Sequence, residues 1–201
     1  MSYPTIHAIV SGLLFAIALF ITFLIFPKGD SSLSTRKIAR LGVLLSVALI
    51  LGLLESFLPP IFLPGMRLGL ANISILLVLY LYGIRDGFFV AILKAILVGL
   101  LRGSLFSMGG YMALAGTFLS FLIMAILHFA FKQMSIIGIS LTGSLFHVLG
   151  QIGVAYLFLG TPILGYLPWL LFIAFFTGIG IGLITKIILM RTRFVAYLKK
   201  G

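Results

Sequence analysis

Seven long apolar runs, separated by short polar or Pro- and Gly-containing segments, dominate the chain. Their approximate limits are residues 6–26, 38–58, 68–84, 87–104, 109–131, 135–159 and 165–189. Apolar runs of about 20 residues are typical of transmembrane helices, and such helices tolerate internal Pro and Gly. The pattern therefore predicts an all-α fold, a polytopic membrane helical bundle in which the third and fourth spans are short and flanked by polar residues.

The polar segment PKGDSSLSTRK separates the first span from the other six. We expect an extra N-terminal transmembrane helix at residues 1–27, a cytoplasmic linker at 28–37, a six-helix membrane core at 38–190 and a basic cytoplasmic tail at 191–201. A signal peptide is the alternative for the first span. No basic segment precedes its apolar stretch, however, and Phe-Pro-Lys follows it, so we interpret it as a helix.

Composition and charge agree with a membrane location. The chain is 62% hydrophobic and 8% charged, with a net charge of +11 and no cysteine. Basic residues stand singly near span ends, which favours a topology signal and contact with membrane lipids over nucleic-acid binding. The positive-inside rule predicts an outside N-terminus and a cytoplasmic C-terminus, because 11 of the 14 basic residues then lie inside: Lys28, Arg36, Lys37, Arg40, Arg85, Lys132, Lys186, Arg191, Arg193, Lys199 and Lys200.

Three basic residues, Arg67, Lys94 and Arg102, do not follow this rule, and Glu55 lies in the same outer half of the predicted bundle. A charge at membrane depth is costly unless it faces protein, an opposite charge or a water-filled cavity. One carboxylate cannot neutralise three cations. The resulting surplus of positive charge favours an anionic ligand such as a carboxylate or phosphate. For Arg102, snorkelling to the outer headgroups is the alternative.

A loop interrupted by prolines connects Glu55 to Asn72. Either it forms a lid over an outward-facing pocket, or it is a simple turn in which Glu55 and Arg67 pair. On the sixth span, one helix face carries Ser140, Ser144, His147 and Gln151. These side chains either form interhelical hydrogen bonds or line the same pocket. The candidate substrate-binding residues are therefore Glu55, Arg67, Asn72, Lys94, Arg102, His147 and Gln151.

Small residues on the second span permit close helix approach, either for packing or for a membrane partner: Gly42, Ser46, Ala48 and Gly52. Recognisable catalytic chemistry is missing from the sequence. Its three acidic residues, Asp30, Glu55 and Asp86, are far apart, and no DDxxD, Walker, HExxH or GxSxG motif occurs. Mg²⁺-diphosphate chemistry needs clustered carboxylates. We therefore expect no enzyme activity, no metal site and no cofactor.

Three stretches carry a family resemblance: LPGMRLGLANISILLVLYLYG, KAILVGLLRGSLFSMGG and HVLGQIGVAYLFLGTP. They resemble the Gx transporter family of bacterial membrane proteins, also labelled heptaprenyl diphosphate synthase component I. That family is similar to the S components of energy-coupling factor (ECF) vitamin transporters. The resemblance implies a bacterial cytoplasmic membrane location and a six-helix S-component-like core with an outward-facing pocket. Lys94 departs from the Arg usual in the family, which keeps the charge but loses bidentate recognition.

The resemblance implies two functions. The first is the substrate-binding component of an ECF-type importer, which holds a small anionic or amphipathic molecule of vitamin, flavin or isoprenoid type. Its small-residue surface at Gly42, Ser46, Ala48 and Gly52 would then dock on a transmembrane coupling subunit that works with ATPases. The alternative is a non-catalytic membrane subunit that partners a prenyl diphosphate synthase catalytic subunit or a quinone- or flavin-linked redox system. An autonomous transporter is a third option, although the core lacks two comparable halves.

Overall fold

Helices account for almost all of the chain that the structure describes, which is residues 35–57 and 66–198 of a computed structural model. The predicted first span and the prolines of the predicted loop lie outside these residues. Six α-helices and one 3₁₀-helix occur within them: α1 Thr35–Phe57, α2 Asn72–Tyr82, α3 Ile84–Leu101, α4 Met108–Ala130, α5 Ile136–Leu159, the 3₁₀-helix Thr161–Tyr166 and α6 Leu167–Leu198.

Four helical segments are long and apolar enough to cross a membrane: Lys37–Glu55, Met108–Ala130, Ile136–Leu159 and Thr161–Thr192. The prediction of an all-α, multi-pass membrane bundle is thereby confirmed for the described residues. The predicted third span is wrong in its extent. Helix α2 has 11 residues and is about 16 Å long, about half of the hydrocarbon core.

Helix α3 reaches 18 residues but carries three charged side chains, those of Arg85, Asp86 and Lys94. With three charged residues in 18, this helix is not apolar enough to be identified as a membrane span from its composition alone. The first two of these charges lie in its first turn, and Asp86 pairs there with Lys37 of α1 at 2.7 Å. Lys94 is the charge that lies deep in the bundle, and it is 1% exposed.

Glycines allow α4, α5 and α6 to pack closely side by side. A Cβ at Gly150 of α5 would lie 2.7 Å from the Ala115 carbonyl oxygen of α4. On the other side of α5, a Cβ at Gly178 of α6 would lie 2.8 Å from the Leu141 Cα. The Ser140 hydroxyl donates to the Gly178 carbonyl at 2.8 Å. Small residues at a membrane-helix interface allow such backbone contact, so α5 becomes the central helix of this half.

Helices α1, α2 and α3 form the other half of the described bundle. Gly83 alone connects α2 to α3, and its φ of 93° lies in the left-handed region that glycine adopts without strain. The turn brings α3 back along α2, so that a Cβ at Gly87 would lie 3.3 Å from the Leu79 Cα. Helix α1 packs against both of them. Its buried stripe includes Ala48, Gly52 and Glu55, which recur at helical spacing.

The predicted docking stripe on α1 is divided between two faces. Gly42 and Ser46 are exposed, and the Ser46 hydroxyl donates to the Gly42 carbonyl at 2.9 Å. Ala48 is fully buried, and Gly52 faces Val98 and Lys94 of α3. Ala48 and Gly52 therefore serve internal packing, and Gly52 does so against α3. A membrane partner remains a prediction for Gly42 and Ser46 only.

Candidate functional site

A short non-helical segment, residues 66–71, leads into α2 and lies inside the bundle. Gln151 of α5 holds it from one side through both ends of its side-chain amide. The Arg67 backbone N–H donates to Gln151 Oε1 at 2.9 Å, and Gln151 Nε2 donates to the Arg67 carbonyl at 2.9 Å. Because Gln151 is fully buried, these bonds replace water for a backbone that lies inside the bundle.

Glu55 of α1 holds the same segment from the other side. Its carboxylate accepts a hydrogen bond from the Leu70 backbone N–H, and the side chain is 4% exposed. Within the described residues, neither Lys94 nor Arg67 has a side-chain nitrogen within 4 Å of a Glu55 oxygen. The Glu55–Arg67 ion pair that the simple-turn alternative requires is therefore not formed, whereas the loop between the two residues lies outside the described part of the chain. Glu55 instead anchors the backbone before α2.

The guanidinium group of Arg67 is buried without a hydrogen-bond partner. The residue is 5% exposed, and Nε, Nη1 and Nη2 all lack an acceptor within the part of the chain that the structure describes. Buried polar groups in native proteins are almost always hydrogen-bonded, and a buried charge without a partner is far more costly still. The guanidinium nitrogens of Arg67 therefore have hydrogen bonds still to donate, of the kind that a carboxylate or phosphate accepts.

Lys94 adds a second buried cation from α3. Its side chain lies against Gly52 of α1, where a Cβ would come within 3.4 Å of the Lys94 Cε. Glu55 and Arg67 both lie within electrostatic range of Lys94. Two buried cations therefore face one buried carboxylate, and that carboxylate already accepts a backbone hydrogen bond. The net charge of this buried cluster is positive.

Neutral polar groups line the same region from α2, α4 and α5. Asn72 Nδ2 donates to the Ser120 hydroxyl of α4 at 3.3 Å. Gly69, at φ 88°, permits a tight approach to Asn72 and His147, because a Cβ there would lie 3.1 and 3.5 Å from their side chains. His147 is 1% exposed and packs against Gly116 of α4. The polar groups thus form one connected buried region.

Arg102 is the predicted site residue that is not enclosed with the others. It caps the C-terminal end of α3, and its side chain is exposed. It nevertheless lies within electrostatic range of Arg67. The structure therefore brings six of the seven candidates together in the buried cluster and places Arg102 at its edge. The buried six are Glu55, Arg67, Asn72, Lys94, His147 and Gln151.

Comparison with known proteins identifies the family. The family model described as heptaprenyl diphosphate synthase component I matches residues 44–188. The chain belongs to the heptaprenyl diphosphate synthase component I family. The match extends from α1 into α6 and contains all seven candidate site residues. The same comparisons found no matching curated protein and no matching solved structure.

Two buried polar residues on α4 of this component I chain were missed at the sequence level. Thr117 and Ser120 of α4 are 1% and 0% exposed, and Ser120 is the partner of Asn72. Their spacing of three residues on one helix face, next to Gly116, was the available signal. Isolated hydroxyl residues are common on membrane helices, so that signal alone does not distinguish a site from ordinary packing.

Metal chemistry has no visible basis in the part of this component I chain that the structure describes. No group of three or more His, Cys, Asp or Glu side chains comes together there. The chemistry available in the buried cluster is instead that of fixed cations, amide groups and hydroxyls. Such groups can bind and orient an anion, but they offer no carboxylate pair for a divalent cation.

Proposed function

We propose that this protein is the membrane-embedded substrate-binding component of an ECF-type importer. In this proposal the buried cluster around Arg67 and Lys94 holds a small anionic or amphipathic molecule. The segment at residues 66–71 forms one wall of an outward-facing pocket, and an external coupling subunit with ATPases supplies the energy. The component I family membership supports a non-catalytic membrane protein; the transport role is our inference.

The observation that carries the proposal is the unpartnered guanidinium of Arg67. The backbone of Arg67 is fixed by Gln151 on one side and, through Leu70, by Glu55 on the other. Fixing the backbone limits how far the guanidinium can move away from the interior. Its three nitrogens and the nearby Lys94 favour a carboxylate or phosphate, because an anion with two oxygens matches the fork of an arginine.

The experiment is native mass spectrometry of gently purified protein, with and without the substitution Arg67→Met. The wild type should retain a small anionic molecule, and the variant should not. Arg85→Met is the matched control, because Arg85 is an exposed arginine in the first turn of α3. Equal retention by all three proteins, or retention of nothing by the folded wild type, would contradict the proposal.

The family name favours a second function. In that alternative the chain anchors a prenyl diphosphate synthase catalytic subunit at the membrane and selects no ligand of its own. The mass spectra separate the two functions through the associated subunits. Coupling and ATPase subunits together with a bound small molecule support the importer. A soluble synthase subunit bound equally by the wild type and Arg67→Met supports the anchoring role.

We also propose that the chain alone has no prenyl-transfer activity. Purified protein incubated with an allylic diphosphate, isopentenyl diphosphate and Mg²⁺ should form no longer product. The reason is that the chain has three acidic residues in total, and a Mg²⁺-diphosphate site needs clustered carboxylates. Product formation that survives removal of every copurifying enzyme would overturn this expectation.

A further inference from the structure

A cavity with both polar and apolar lining lies at the opposite end of the bundle from Arg102. Its volume is about 580 Å³, within the range of about 300–1,000 Å³ that is usual for small-molecule sites. It opens where α2, α4, α5 and α6 come together at the predicted cytoplasmic side. The residues that give it its character are Tyr80, His128, Phe129, Phe131, Lys132 and Lys186.

Two lysines from different elements line this cavity. Lys132 belongs to the connection between α4 and α5, and Lys186 lies on α6. Close packing positions Lys186 there, because Gly182, one turn earlier, would place a Cβ 2.7 Å from the Ile137 Cα of α5. Neither lysine forms an ion pair within the described residues, where Lys37 and Asp86 provide the pair that occurs. Both are exposed at the mouth of the cavity.

The rest of the lining is mostly apolar and aromatic. Ile139 is buried beside the partly buried Met134 and Ile136. Phe129 and Phe131 are 74% and 59% exposed, so they extend this apolar surface outward. An adjoining cavity of about 610 Å³ shares Phe129, Phe131, Lys132 and Met134 with the first one. Together the two provide a continuous surface for a hydrocarbon chain.

Other polar groups line the cavity together with the two lysines. His128 of α4 contacts Tyr80 of α2 edge to face, with ring centroids 4.4 Å apart. Helix α5 begins at Ile136, directly after the N-cap Ser135, whose hydroxyl accepts from the Gly138 N–H at 3.1 Å. Both Ser135 and Ile136 line the cavity. The described part of this lining contains no acidic side chain that would neutralise Lys132 and Lys186.

We infer that this cavity binds the phosphate headgroup of an amphiphilic phosphate ester of net negative charge between Lys132 and Lys186. The hydrocarbon chain of the same molecule lies over Ile139, Met134 and the two exposed phenylalanines. Two cations that line one cavity beside an apolar surface match that combination of headgroup and chain. This inner cavity is separate from the Arg67 cluster, so the inference does not depend on the proposed transport function.

The test is titration of detergent-purified protein with four probes under native mass spectrometry. The probes are dioleoyl phosphatidic acid, farnesyl diphosphate, dioleoyl phosphatidylcholine and inorganic phosphate. We expect the first two to bind and the last two to bind at least about tenfold more weakly. Preference for phosphatidic acid identifies a bilayer lipid as the source, and preference for farnesyl diphosphate identifies an isoprenoid ester.

The decisive variant is Lys132→Gln/Lys186→Gln. It should weaken binding of the preferred probe by about tenfold or more, because hydrogen bonds to charged groups contribute strongly. Arg191→Gln is the matched control, since Arg191 is an exposed cation five residues further along α6 that does not line the cavity. Lys132→Arg/Lys186→Arg should retain binding. If the double glutamine variant fails to fold, the two single glutamine variants replace it.

Three outcomes would overturn the inference. The first is equal weakening by Arg191→Gln, which would indicate a general surface charge effect. The second is equally tight binding of phosphatidylcholine, which would remove the requirement for an anionic headgroup. The third is equally tight binding of inorganic phosphate, which would remove the requirement for a hydrocarbon chain.

Discussion

Arg67 shows how single residues define the candidate site. Charges at membrane depth are rare enough that Glu55, Arg67 and Lys94 could be selected from the sequence without knowing their contacts. The role of Gln151 could not be predicted, because its hydrogen bonds to Arg67 join positions 84 residues apart. Arg102 was ambiguous for a related reason. A long cationic side chain near a helix end satisfies the same sequence pattern whether it points inward or toward headgroups.

Lys94 provides the sharpest prediction at this scale. Lys94→Met should abolish ligand retention, because removal of a charged partner from a buried contact costs about 2–5 kcal/mol, or roughly 30- to 5,000-fold in affinity. Native mass spectrometry measures the retained ligand, and thermal unfolding checks the fold. Arg102→Met should have a smaller effect, since Arg102 is exposed at the edge of the cluster.

The double variant Glu55→Gln/Lys94→Met distinguishes a binding role of Lys94 from neutralisation of Glu55. If Lys94 binds the ligand, the double variant should be as stable as Glu55→Gln alone and still retain no ligand. Recovery of both stability and ligand retention would show that Lys94 only compensates the Glu55 charge. The structure favours the first result, because no Glu55–Lys94 ion pair is formed within 4 Å.

At the scale of helices, the apolar pattern was sufficient for long elements and insufficient for short ones. The predicted spans 109–131 and 135–159 agree closely with α4 at Met108–Ala130 and α5 at Ile136–Leu159. The predicted span 68–84 is longer than α2, because residues 68–71 are as apolar as the helix that follows. Long-range hydrogen bonds hold these residues in a non-helical segment, and hydrophobicity alone cannot predict such bonds.

The α5–α6 contact allows a direct test of helix packing. Gly178→Ala should destabilise the protein by about 1–3 kcal/mol, as overpacking typically does, because the new Cβ would lie 2.8 Å from the Leu141 Cα. Gly180→Ala is the matched control on the same helix, since its Cβ would have no atom within 4 Å. Thermal unfolding in detergent should show a lower Tm for Gly178→Ala alone. A similar Tm for the two variants would mean that α5 and α6 do not pack this closely.

For the whole molecule, the hydrophobic pattern predicted the class of fold, and basic residues predicted its orientation. The all-α bundle could be predicted because a membrane permits few alternatives to helices. The arrangement of α5 between α4 and α6 could not be predicted, because many positions along the chain carry small residues and only some of them form close helix–helix contacts. Gly42 and Gly52 illustrate this difference, since one is exposed and the other packs on α3.

Orientation remains a prediction and can be measured by cysteine labelling. The chain contains no cysteine, so single cysteines at positions 2, 32 and 201 report without interference. In intact cells, Ser2→Cys should react with an impermeant maleimide, whereas Ser32→Cys and Gly201→Cys should react only after lysis, because the positive-inside rule places both inside. Protection of position 2 would mean that the first apolar run does not cross the membrane as predicted.

The small length of α2 links the candidate site to the bilayer itself. A helix of about 16 Å beside α1, α4 and α6, each longer than about 30 Å, leaves the Arg67 segment well below the nearer surface of a typical membrane. Helix α2 is mostly buried by its neighbours, so these longer helices, rather than α2 itself, meet the lipid. A ligand in the proposed function therefore has to pass between these helices to reach Arg67, so its rate of binding should depend on how easily the bundle opens.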